Sequence, residues 1–116
     1  MKCRKCRQAG SPINNLLTRL ADVKSVEVLS ACSGYTYEGH VNLPEKPFIL
    51  FSVKSFRTLE KLWQVFSKLS VPTYFMYNGG GQFLFEIDLP KTWPNRNNML
   101  LEAWGVIDSR LREFND

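Results

Sequence analysis

The run Asn78-Gly79-Gly80-Gly81, set between residues 73–77 and 82–88, constrains this chain more than any other feature. Consecutive glycines adopt positive φ without a side-chain clash, so the chain can reverse there in a tight turn. Beyond the turn, Phe83, Phe85 and Ile87 alternate with Leu84, Glu86 and Asp88. That period of two makes a strand with one core face and one more polar face. The glycines also invite a phosphate-loop reading. No Gly-Lys-Ser/Thr follows them and no helix opens there, which favours the hairpin.

Two further strands and three helices are legible around this hairpin. Residues 25–32 read as a strand with Val26 and Val28 on one face and Glu27 opposite. Residues 47–53 form a near-continuous apolar run, expected to be a central strand with Leu50 and Phe51 in the core. Ser11-Pro12 reads as a helix start, followed by Ile13, Leu16, Leu17 and Leu20 at helical spacing. Ser55 caps a second helix carrying Leu59, Leu62, Trp63, Phe66 and Leu69, which Pro72 brings to an end. Residues 90–97, with two prolines and two asparagines, read as a loop. A last helix presents Leu100, Trp104, Ile107, Leu111 and Phe114. The order α-β-β-α-β-β-α predicts an α+β two-layer sandwich. Its sheet is expected to be four-stranded, mixed but mainly antiparallel, with the helices on one face.

A chain of 116 residues fits one domain, here residues 11–116 behind a short arm, residues 1–10. Lys2, Arg4, Lys5 and Arg7 lie in that arm, and no acidic residue does. The net charge of +4 therefore belongs to the arm, and the body is neutral. Such an arm can touch the phosphates of a nucleic acid, or simply be solvated. No apolar run is long enough to span a bilayer. No apolar segment follows the first charges, so a cytoplasmic location and no membrane partner are expected.

The long connection between the first two strands is the candidate site. Fourteen residues separate Cys32 from Pro47, where hairpins generally use two to five. Ser30, Cys32, Ser33, Gly34, Tyr35, Tyr37 and His40 cluster at its start. Gly34 permits close backbone approach to a ligand, nearby N–H groups can face an anion, and a tyrosine can stack on a ring. On this reading Gly34→Val blocks the ligand and leaves the fold intact. The competing reading is a polar loop whose hydroxyls bond its own backbone. Trp93, in the later loop, either covers a ligand or plugs the core edge.

The stretch from Ile13-Asn14-Asn15 to Ser30-Ala31-Cys32-Ser33-Gly34 resembles the tRNA methyltransferase family of wybutosine synthesis. The strand and helix of residues 47–62 resemble the same family. The resemblance covers residues 13–69 and implies a related fold, a ligand site at Ser30, Cys32, Ser33 and Gly34, and S-adenosylmethionine as cofactor. Tyr35 stands where that family has arginine.

Cys3-x-x-Cys6 has half of a zinc-site spacing, and Cys32 with His40 would complete a tetrahedral set. The same cysteine and histidine could serve as nucleophile and base. Two function classes follow. One is a binding protein for a nucleotide-like small molecule or RNA. The other is a compact tRNA-modifying enzyme, with a zinc-stabilised interaction module as a further alternative.

Overall fold

The computed structural model describes residues 13–35 and 46–114. Its elements run α1 (Asn14–Ala21), β1 (Val26–Cys32), β2 (Phe48–Val53), α2 (Phe56–Phe66), β3 (Thr73–Gly79), β4 (Gln82–Ile87) and α3 (Arg96–Arg112). This is the expected α-β-β-α-β-β-α order of an α+β fold. The Ser11-Pro12 helix start lies outside the described residues.

All three strand pairings are antiparallel, in the order β1-β2-β4-β3, so the sheet is not mixed. A helix between two strands ordinarily signals parallel neighbours. Here β2 and β3 do run the same way, but the hairpin sends β4 back between them. Ser55 begins α2, its hydroxyl oxygen accepting from the Thr58 N–H at 3.3 Å. The last helix opens four residues earlier than its apolar face suggests, at Arg96 rather than near Leu100.

The core lies between the sheet and the helices. Leu16, Leu17 and Leu20 of α1, Leu62 and Phe66 of α2, and Leu100, Trp104 and Ile107 of α3 are buried. They meet Ile49 and Phe51 of β2 and Phe85 and Ile87 of β4. The rings of Phe66 and Phe85 sit 4.6 Å apart, and Trp104 meets Phe85 edge-on at 5.9 Å. Two expected core residues lie elsewhere. Leu50 is only half-buried, because β2 alternates and its outer row runs Ser30, Leu50, Leu84, Met76. Trp63 is 54% exposed. It stands on the flank of α2's apolar stripe, edge-on to Phe75 at 5.5 Å, over an edge strand with no described element beyond it.

Arginines of α3 fasten the layers. Arg110 Nη1 donates to the carbonyls of Gln64, Val65 and Ser67, and Nη2 to that of Lys68. These carbonyls belong to the last turn of α2 and the two residues after it, where the chain has left the helical ladder. Lys68 itself has φ +54°. Arg19 of α1 and Arg112 both pair with Asp108, at 2.9 and 3.3 Å.

Adjacent positions on α2 test this packing. Leu62→Ala should lower the unfolding free energy by about 2–5 kcal/mol through the cavity it opens. Trp63→Ala should cost less, about 1–2.5 kcal/mol, from one aromatic pair plus the apolar area its half-buried ring covers. Urea denaturation of both variants measures the contrast; equal losses would place Trp63 in the core.

Candidate functional site

A β-bulge determines how β1 delivers the expected site. Val26 faces Val53 and Val28 faces Phe51, then the register shifts so that Ser30 faces Leu50 and Ala31 faces Ile49. Leu29 is the extra residue. In a regular register Ser30 would fall opposite Ile49 and point into the core; with the bulge Ala31 does, and Ser30 stands half-buried on the outer face. The chain leaves β1 opposite Phe48, with Cys32 and Ser33 both buried.

At that point α3 holds the backbone. The Trp104 indole N–H donates to the Ser33 carbonyl at 3.0 Å. Arg96, itself buried, donates from Nη1 to the Gly34 carbonyl and from Nε to the Leu89 carbonyl at 3.1 Å. Burial pulls the Arg96 guanidinium below its ordinary value by stripping its hydration, and the nearby Cys32 sulfur acts in the opposite direction. The Ser33 hydroxyl oxygen accepts from the Tyr35 N–H at 3.1 Å, a local turn of the kind serine makes with its own backbone. The polar groups described here thus bind one another. This is the arrangement expected of the polar-loop alternative.

Gly34 has a structural reason of its own. Its φ is +72°, and an added Cβ would fall 2.5 Å from Cγ of Pro47. Pro47 in turn is fixed to the sheet, its carbonyl accepting from the Ile87 N–H at 3.0 Å. The glycine permits close approach of the chain to itself, and the expectation that Gly34→Val leaves the fold intact is reversed.

Of the other expected residues, Tyr35 is half-buried and Trp93 is half-exposed in the turn that leads into α3. Trp93 lies three residues before the arginine that clasps Gly34. Tyr37, His40 and the arm residues Lys2, Cys3, Arg4, Lys5, Cys6 and Arg7 lie outside the described residues. Cys32 is the one member of the expected zinc set that is described, and no metal-ligating cluster of three or more groups occurs among the described residues. Asn14 Oδ1, within the stretch that carries the family resemblance, is buried without a hydrogen-bond donor among the described residues.

A second feature was not anticipated from the sequence. Between α2 and β3 lies an open groove of about 440 Å³ lined by Trp63, Phe75, Tyr77 and Phe83, with Glu60 and Gln64 at its polar side. The rings are ordered against one another: Tyr77 and Phe83 at 5.3 Å, Phe75 and Phe83 at 6.0 Å. Tyr77 is 65% exposed, and its hydroxyl oxygen accepts from the Gly81 N–H at 3.3 Å, tying the ring to the hairpin turn. The groove exists because α2 covers the sheet only as far as Trp63 while the aromatic inner face continues onto β3. Each ring was visible in the sequence; that β3 is an edge strand was not. No family model, curated protein or solved structure matches the chain.

Two variants probe the clasp. Gly34→Val should lower stability by about 2–5 kcal/mol, combining left-handed strain with overpacking against Pro47. Arg96→Lys should also destabilise, since a single ammonium head cannot reproduce the planar fork that serves two carbonyls. Thermal unfolding reads both, and unchanged melting in either would show that the clasp is dispensable.

Proposed function

We propose that this chain is a non-catalytic binding protein that takes a planar, nucleobase-like ring in the groove between α2 and β3. The aromatic lining of that groove is the observation that carries the reading. Its volume lies within the range of small-molecule sites. Exposed rings held in place by neighbours stack on any base with little ordering cost. The Glu60 carboxylate accepts hydrogen bonds from exocyclic amino groups, and the Gln64 amide both donates and accepts. Those two groups favour an amino-bearing base over a purely apolar ring. Arg57, exposed one turn before Glu60 on α2, and the basic arm supply cations for phosphates.

This reading keeps the nucleotide-like or RNA ligand expected from the sequence and moves its seat away from the Ser30–His40 connection. There the described hydrogen-bonding groups serve the fold. The methyltransferase-like alternative rests on the sequence resemblance alone. A guanidinium does reach Gly34, from Arg96 rather than from position 35, but its described donors are directed to main-chain carbonyls.

Titration with adenosine and cytidine monophosphates and with a short single-stranded RNA, followed by tryptophan fluorescence, tests the proposal. Quenching is expected, because Trp63 is half-exposed beside the groove. Tyr77→Ala should weaken binding by about 1–3 kcal/mol, the worth of one stacked base. Replacing Lys2, Arg4, Lys5 and Arg7 by serine should flatten the salt dependence for RNA only. No fluorescence change at millimolar nucleotide, or undiminished binding by Tyr77→Ala, would refute the groove as the seat.

A further inference from the structure

Among the described residues the sheet has two edges, β1 and β3, and the chain treats them differently. β1 carries an exposed carboxylate, Glu27, and a bulge between Val28 and Ser30. Both are devices that prevent edge-to-edge pairing. β3, reading Thr-Tyr-Phe-Met-Tyr-Asn-Gly, holds no charge and no proline, and its register stays regular from Thr73 to Tyr77.

Its open hydrogen-bonding positions follow from one bond. The Pro72 carbonyl accepts from the Asp88 N–H at 2.8 Å, so residue 72 points towards β4. Direction alternates along an antiparallel strand. Tyr74 and Met76 therefore also point to β4, while the N–H and C=O groups of Thr73, Phe75 and Tyr77 face outward. Tyr74 and Met76 keep large side chains exposed on the outer face, at 50% and 42%.

We propose that β3 pairs antiparallel with β3 of a second copy of this chain, about a two-fold axis at Phe75. In this register Phe75 faces its own counterpart and Thr73 faces Tyr77, so every outward residue finds a hydrogen-bonding partner. Shifting the axis to Met76 would set Thr73 against the irregularity at Gly79. On the outer face Tyr74 then lies opposite Met76 of the second copy, a sulfur–aromatic pair made twice. On the inner face the small Thr73 lies beside Tyr77 and leaves the aromatic groove open. The two sheets become one, and the two grooves flank the axis. The pairing does not rest on the ring-binding proposal.

The contact is one strand wide, well short of the roughly 800 Å² per partner of a standard interface. Association on the order of micromolar is expected, and it should be visible by sedimentation velocity of the full chain from about 5 to about 500 µM. Amide exchange supplies the site. The amides of Thr73, Phe75 and Tyr77 should gain protection with concentration, while those of Tyr74 and Met76 stay protected throughout. Charge tests the register. Tyr74→Lys with Met76→Lys sets like charges opposite and should weaken association at least about tenfold. Tyr74→Lys with Met76→Glu sets opposite charges across the axis and should retain association, now salt-sensitive. A monomer at all concentrations, concentration-independent exchange at the three amides, or equal loss in the two double variants would overturn the proposal.

Discussion

The contact on which the rest depends is the pair of donors that α3 sends into the end of β1. Trp104 and Arg96 satisfy the carbonyls of Ser33 and Gly34 at a place where both side chains are buried. A buried carbonyl left unpaired costs about 1–3 kcal/mol. Without α3 the chain could not leave β1 inside the fold. Once the two carbonyls are held, Gly34 can lie against Pro47, β2 can start opposite Cys32, and the bulge at Leu29 has a fixed end from which to reset the alternation. Ser33 and Gly34, the described start of a segment rich in reactive residue types, thus serve as a fastening.

The open side of the molecule follows from topology. Because β4 inserts between β2 and β3, α2 must bridge a sheet one strand wider than a simple crossover would require. It covers β2 well and β3 partly, ending its cover at Trp63. The aromatic inner face is continuous across Phe51, Phe83, Phe75 and Tyr77, so the uncovered part is a groove rather than a scatter of exposed rings.

The element order and most of the core were legible because hydrophobic periods report burial directly. Leu16, Leu17, Leu20, Leu62, Phe66, Leu100 and Trp104 all lie where their spacing puts them. What spacing cannot report is the neighbour. Trp63 and Leu62 are equally apolar on the same helix, and only the position of β3 at an edge separates a groove wall from a core residue. The run 47–53 suggested a strand covered on both faces, yet Leu50 faces outward, because apolar composition alone does not count the layers above a sheet. Arg96 carried no signal at all. Arginine is rarely buried, and its role emerges only once Gly34 and Leu89 converge on it from positions 62 and 7 residues away. The candidate site was legible as a concentration of chemistry, but whether its groups face a ligand or one another depends on contacts made across the fold.

Arg110 brings out the temporal side of this arrangement. The carbonyls that it gathers at residues 64–68, the end of α2 and the two residues after it, are laid down some forty residues before it in the chain. Arg96, Trp104 and Asp108 likewise act on segments laid down earlier. During synthesis the sheet and first two helices emerge with these groups still facing water, and α3 arrives last to desolvate them all at once. The final described helix therefore closes contacts that the earlier described segments do not make among themselves.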